Sequence, residues 1–226
     1  MKIFLSLLFT LTLGIANSQL GVQVASTYNS IPGWQIAFEN GLTGKHSPFM
    51  RYGSMISFRY QMDLHTEGFY LAPAIAIDRN TQDFHFHHFE LIGYNLGGIL
   101  GYRFLTIKKD EKVAHPSFSA GIELSAGAGY LAMRYNRPLF SDGEYTGEQE
   151  QFSHNLLAAS FGTHLSTKIF VSEKLGFGPM LSIRYVPHLN WSALPTLIDP
   201  ELPSSLGNTH LFQWTAGVLV HWHFAN

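Results

Sequence analysis

"FQWTAGVLVHWHF", residues 212–224, reads as one long extended segment. Side chains of an extended chain alternate between two faces. Phe212, Trp214, Ala216, Val218, Val220, Trp222 and Phe224 therefore share one face, and Gln213, Thr215, Gly217, Leu219, His221 and His223 the other. Working back from this stretch, the same period of two recurs through most of the chain. Tyr52, Ile56, Phe58, Tyr60 and Met62 fall on one side of residues 52–62, and Gly53, Met55, Ser57, Arg59 and Gln61 on the other. Similar alternation covers 69–78, 94–104, 118–130, 156–171 and 175–185. "GVQVASTYNSIPGWQIAF" holds two short alternations divided by "YNSIPG", one bent strand or two, and a strand placed near 31–40 brings the expected number to eight. Pro73 and Pro179 lie inside predicted strands and cannot donate to a ladder, so each predicts a bulge or a strand end.

The composition says what surrounds these strands. Charged residues make up 13% of the chain and aromatics 14%, where a soluble domain carries about 25% charged residues. The longest apolar candidate beyond the N-terminal region, "YLAPAIAI" at 70–77, is far too short for a membrane-spanning helix. Any membrane crossing must be made by strands. Lys2, the apolar run Ile3–Ile15 and the small residues Ala16-Asn17-Ser18 read as a secretory signal over 1–18, with a cut expected before Gln19 and one domain over 19–226. Losing Lys2 changes the balance from 14 basic and 16 acidic residues to 13 and 16, a net charge of -3 with His neutral. That mild acidity does not point to nucleic acid. There is no Cys, which removes disulfide frameworks and thiolate metal sites.

A soluble β-sandwich alternates too, but its outer face meets water and carries Lys, Glu, Asp and Thr. Here the face opposite the apolar one is mainly Gly, Ser and Ala, which suits the crowded interior of a narrow barrel. The expected fold is all-β: a closed, antiparallel, up-and-down transmembrane barrel of eight strands with a filled lumen. Closure follows from backbone chemistry, because an unpaired N–H or C=O in hydrocarbon costs several kcal/mol and only a ring of strands has no edge. Residues 212–224 then form the closing strand, with the even-numbered face turned to lipid. Links around 63–68, 106–115 and 172–174 read as short turns on the periplasmic side, and those around 41–48, 79–87, 136–152 and 187–209 as longer loops outside.

With this pattern the chain resembles the small eight-stranded outer-membrane β-barrel proteins of Gram-negative bacteria. The resemblance implies placement in the cell outer membrane, among lipid and lipopolysaccharide. It also implies that Trp222 and Phe224 form a C-terminal signal read by the barrel-insertion machinery, although Ala225 and Asn226 follow the terminal aromatic here.

Candidate chemistry falls in three places. By parity the lumen face collects Glu39, Asp78 and Glu123 with Arg51, Arg59, Arg103, Lys168 and Arg184, a set expected to pair as an ionic plug because an eight-stranded barrel is narrow enough for side chains to fill. Twelve histidines raise a metal reading, sharpest at His85, His87 and His88 in "DFHFHHFE", without a recognised ligand spacing. The stretch "RYVPHLNWSALPTLIDPE" gathers His188, Ser192, Asp199 and Glu201 at the outer rim: a base, a hydroxyl and carboxylates. Some eight-stranded barrels are lipid A deacylases, but their His and Ser stand two apart on a strand, and the residue two after His188 is Asn190. No cofactor is expected. The function expected is structural or surface-interacting rather than that of an open porin, with an unspecified extracellular ligand. A rim-located, lipid A-modifying hydrolase is the runner-up and a soluble exported sandwich the third reading.

Overall fold

A computed structural model of the chain describes residues 17–32, 51–64, 66–84, 87–107, 117–172, 174–191 and 208–225. They form eight strands: β1 (Asn17–Ser30), β2 (Tyr52–Asp63), β3 (Phe69–Phe84), β4 (His87–Ile107), β5 (Phe118–Ser141), β6 (Glu144–Phe170), β7 (Leu175–Asn190) and β8 (Asn208–Ala225). Each pairs antiparallel with its sequence neighbours, and β1 pairs with β8 to close the ring. The seam runs in continuous register from Asn17↔Ala225 through Val24↔Val218 to Ser30↔Phe212.

The first strand is not the expected 31–40 but 17–30, the earlier of the two alternations. Its Leu20, Val22 and Val24 stand opposite Trp222, Val220 and Val218 on one flank and Tyr60, Phe58 and Ile56 on the other. It gives the closing strand an apolar or aromatic partner at Trp214, Val218, Val220 and Trp222, while Ser30, Ser26 and Ser18 face Phe212, Ala216 and Phe224. Residues 33–40 lie outside the described residues, as do 1–16 of the expected signal.

Neither proline makes a bulge or a strand end. Pro73 faces Gly98 on β4, while the β2–β3 ladder omits only the pairs between Arg59↔Ala74 and Met62↔Leu71 and resumes in the same register. Pro179 does likewise between Ser166↔Met180 and Ile169↔Phe177. A missing N–H interrupts one ladder locally while the opposite ladder holds the strand straight. The register shifts fall elsewhere, at Arg103/Leu105, Pro138/Phe140 and Val186/Leu189.

Two links expected as loops are strand. β3 and β4 continue to Phe84 and His87, and β5 and β6 to a tight turn at Asp142-Gly143. Both turn residues have positive φ, 52° and 84°, the Asp-Gly geometry of a two-residue hairpin. The polar residues that read as loop are paired instead, for example Arg137↔Glu150 and Asn136↔Gln151.

Parity holds around the ring. Val24, Leu96, Leu124, Phe161, Leu181 and Val218 all point outward and are half or more exposed, an apolar belt far larger than the exposed patches of a soluble monomer. On β4 the band runs from Tyr94 to Phe104, about 33 Å along the strand and about 25 Å along the membrane normal at a tilt near 40°. Tyr28, Tyr52, Tyr94, Tyr130 and Trp214 mark the extracellular edge, and Phe69, Tyr102, Phe177, Trp222 and Phe224 the periplasmic one. This is an integral barrel whose outer wall is solvated by lipid.

Candidate functional site

The interior is layered along its axis. Near the periplasmic end, β2 places Arg59 and β5 places Glu123 at inward positions, where Arg59 Nη1 donates to Glu123 Oε2 at 2.7 Å. The pair is almost wholly buried. Such a pair persists only if its remaining atoms are satisfied. Glu123 Oε1 accepts from Tyr70 Oη at 2.5 Å and Ser166 Oγ at 3.1 Å, and Arg59 Nη2 lies 3.0 Å from Met180 Sδ. Among the described residues, Lys168 has no carboxylate at ion-pair distance. Its Nζ donates to the amide oxygens of Gln61 (2.6 Å) and Gln19 (3.2 Å) and stands 5.5 Å from the centre of the Tyr70 ring. Arg103 pairs with Asp63 and lies over the other part of the same aromatic neighbourhood, 5.0 Å from the Tyr70 ring centre.

Higher up, Asp78 accepts from Arg184 at 2.8 Å and from Asn95 at 3.3 Å. Six of the eight expected lumen residues thus come together as two clusters, one around Tyr70 and one around Asp78. Arg51 has no ion-pair partner among the described residues, and Glu39 lies outside them. Asp63, Tyr70, Gln61 and His164 also belong to this interior, beyond the set that sequence reasoning selects. Tyr70 shares the inward parity of Ala72, Ala74, Ala76 and Asp78, which is a usable signal for it, whereas Asp63 reads as the start of a turn.

Between the clusters lies a cavity of about 80 Å³ lined mainly by small side chains, including Ser57, Ala76, Ser125, Ser160 and Ser182. Ser125 Oγ and His164 Nε2 are 2.8 Å apart on this lining. A hydroxyl beside an imidazole is the start of a nucleophile–base pair, but the orienting carboxylate is missing: His164 Nδ1 has no hydrogen-bond partner among the described residues. Above the Asp78 cluster an apolar layer fills the β4–β7 side of the interior, beside the buried polar side chains of Asn29, Asn80 and Gln213. Ile31, Phe89, Leu91, Tyr135, Leu189 and Trp191 pack there with buried neighbours from four strands. Tyr135 lies flat against Phe89, ring centres 4.5 Å apart, and its hydroxyl meets His87 Nδ1 at 2.9 Å. Burial pushes the Tyr135 hydroxyl up to about 12, against a smaller downward pull from Arg137.

At the rim, His188 sits in the bulge of β7 with φ 54°, a conformation that costs energy for a non-glycine residue and re-aims its side chain. It lines a cavity of about 440 Å³ with Tyr185, Asn208 and His210. Ser192, Asp199 and Glu201 lie outside the described residues, so only the base of the expected constellation is placed. Of the metal candidates, His85 also lies outside. His87 points inward to Tyr135, while His88 points outward, with Nδ1 2.5 Å from Asp83. Consecutive strand residues on opposite faces cannot share an ion, and no cluster of three or more His, Asp or Glu suited to a metal occurs among the described residues. Trp222 and Phe224 stand side by side on the outer wall at the periplasmic edge, each about half exposed.

No model of a known protein family and no curated protein matches the chain. Solved structures do match. The attachment invasion locus protein Ail of Yersinia pestis is similar over 91% of this chain and 98% of its own, with a TM-score of 0.50 and 9% identity. Neisserial surface protein A covers 90% of this chain and 96% of its own (TM-score 0.43, 12% identity). The outer membrane protein OprG of Pseudomonas aeruginosa covers 94% and 98% (TM-score 0.38, 7% identity). At such identities the likeness concerns fold. The fold is that of the small eight-stranded outer-membrane barrels of Gram-negative bacteria, and the lipid-facing wall places this chain in the cell outer membrane.

Proposed function

We propose that the barrel is a closed anchor presenting a binding surface outside the cell, and not an open porin. One observation carries this reading: β5 and β6 run on past the rest of the wall as a ribbon. Pairing of β6 with β7 ends at Phe161↔Tyr185. From Glu150 to Leu156, above the Tyr130↔Leu157 pair at the aromatic edge, β6 has β5 on one side and no paired strand on the other among the described residues. A free strand edge is a template for an extended segment of another protein, with backbone hydrogen bonds supplying affinity and alternate side chains selectivity. The buried Trp191–Tyr135–Leu189 layer below it supports a lumen closed to solutes. The name of the Yersinia pestis protein, attachment and invasion, fits such a role.

Two measurements test the proposal. In planar bilayers the purified barrel is expected to conduct no more than the bilayer alone. Replacing residues 135–152 by a two-residue Asn-Gly turn, so that β5 passes to β6 at Arg134↔Ser153 and most of the exposed edge is removed, is expected to abolish binding of cells to a surface they otherwise colonise while leaving the heat-dependent gel shift of the folded barrel intact. Stepwise conductance, or unchanged binding, refutes it.

A second reading keeps the rim cavity as a lipid A hydrolase, favoured by the strained His188 within it. Lipid A that loses an acyl chain in cells carrying the protein, but not in those carrying Ser192→Ala, would establish it. An identical lipid A spectrum with and without the protein would remove it.

A further inference from the structure

Two arginines and a glutamate stand on the outer wall of a barrel whose outward residues are otherwise mainly apolar. Arg79, Glu90 and Arg134 all point outward, on the adjacent strands β3, β4 and β5. At the bilayer midplane an outward Arg costs about 2–4 kcal/mol, falling to about 0–1 near the interface, so their height decides their meaning. Ile77, Tyr94 and Tyr130 form one outward row at the extracellular aromatic edge. Arg79 lies two residues beyond Ile77. Glu90 and Arg134, partners in register, lie four residues beyond Tyr94 and Tyr130, about 13 Å along the strands and about 10 Å in height. That is the level of lipid headgroups.

The three side chains are organised around the carboxylate. Glu90 Oε1 accepts from Arg79 Nε at 2.7 Å, and Oε2 accepts from Arg134 Nη1 at 3.1 Å. Glu90 is 7% exposed although it faces outward, because the guanidinium groups cover it, while the arginines are 63% and 49% exposed. One buried anion thus holds two cations side by side with their remaining N–H groups turned away from it. The next outward position above, the Asp83–His88 pair, adds no further fixed cation. Two planar forks of N–H donors fixed together match the oxygens of a phosphate group.

We infer that Arg79 and Arg134, positioned by Glu90, form a clamp on the outer wall for a phosphate carried by an outer-leaflet lipid. The clamp occupies a point where adjacent anionic headgroups would otherwise require a bridging cation. The inference rests on the outer-membrane setting and is independent of the surface-binding role of the ribbon. It gives the barrel a fixed lipid neighbour on the β3–β5 side, the side that carries the projecting ribbon.

The test uses the full barrel refolded in mixed micelles, with retention of lipid A read by native mass spectrometry and folding checked by gel shift. Diphosphorylated lipid A is expected to be retained about tenfold more strongly than lipid A stripped of phosphate, as for two charge-assisted contacts at a partly exposed site. The double variant Arg79→Gln/Arg134→Gln should remove that preference and weaken with it the salt dependence of binding, while Arg137→Gln, which removes a cation from the ribbon, should leave the preference unchanged. Glu90→Gln raises the local charge yet should lower retention, because the fork is no longer held. Overturning results are a preference that survives the double variant, an equal loss with Arg137→Gln, or stronger retention with Glu90→Gln. Inorganic phosphate that displaces lipid A at equal concentration would reassign the site to free anions and overturn the lipid assignment.

Discussion

Replacing Arg59 by methionine removes the cation and leaves Glu123 buried without its counter-ion. The pair is 2% and 0% exposed, so no water can take over from the guanidinium. Breaking a buried pair from one side costs about 3–5 kcal/mol, a large share of the stability of any domain. The Tyr70 and Ser166 donors soften but do not cancel this, because they accompany the ion pair rather than replace it. Glu123→Gln leaves Arg59 unpaired in the same place and should cost a similar amount. In the double variant Arg59→Met/Glu123→Gln both charges are gone, the thioether side chain fills the volume of the guanidinium, and the introduced amide still offers an oxygen to Tyr70 and Ser166. Its cost should be about 1–2 kcal/mol, well below the sum of the singles, for a coupling of at least about 2 kcal/mol. Urea titration of the barrel in lipid vesicles, followed by tryptophan fluorescence and by gel mobility, measures all four corners. Costs that add within about 0.5 kcal/mol would show that the two groups do not sense each other and would refute the lumen described above.

Other substitutions probe other layers. A Cβ on Gly97 would lie 2.6 Å from the carbonyl oxygen of Ala126 on the neighbouring strand, so Gly97→Val should destabilise by about 1–3 kcal/mol or block assembly, measured by the same urea titration. Val218→Arg puts a charge on the lipid-facing wall near mid-height and should cost about 2–4 kcal/mol in vesicles, while Thr146→Arg on the exposed ribbon should cost almost nothing. Tyr135 is held up to about 12 by burial, against about 10 in the unfolded chain. The folded state therefore binds more protons between those values, and stability should be flat below about pH 10 and fall as pH rises through about 10–12. The ultraviolet difference titration between the protein and Tyr135→Phe should show one phenol ionising near 12, and a phenol titrating near its ordinary value of about 10 would contradict its burial.

How much of this is legible in the sequence depends on which force sets each feature. The lipid-facing parity of residues 212–224 and of strands such as 94–104 is readable because one solvent, hydrocarbon, enforces one kind of side chain at every second position. The closing pair of strands is harder. Leu20–Val24 and the stretch after Pro32 alternate equally well, and only pairing to both β2 and β8 selects the former. The ribbon reads as loop because its residues are polar on both faces, as a strand in water on both sides must be. The Asp142-Gly143 turn is nonetheless a local signal for it. Parity yields the inward residues Arg59, Asp78, Glu123 and Arg184 but not their partners, since which charges meet across a barrel depends on stagger between strands distant in sequence. Arg79, Glu90 and Arg134 escape for a related reason: they lie in or beside segments that read as loops, where facing is undefined. The apolar layer around Trp191 reverses the polar interior below it, and alternation alone does not reveal where along the axis that change occurs.

The even-numbered face of residues 212–224 touches acyl chains while the interior is sealed from them. Trp214 is half exposed on the outer wall and Trp191 is fully buried inside the extracellular end. Variants retaining one or the other as their sole tryptophan, inserted into vesicles whose acyl chains carry bromine, measure this directly by fluorescence quenching. Strong quenching of Trp214 with little quenching of Trp191 is the result expected. Trp214 untouched by brominated chains in correctly folded protein would contradict the barrel's orientation to its solvent.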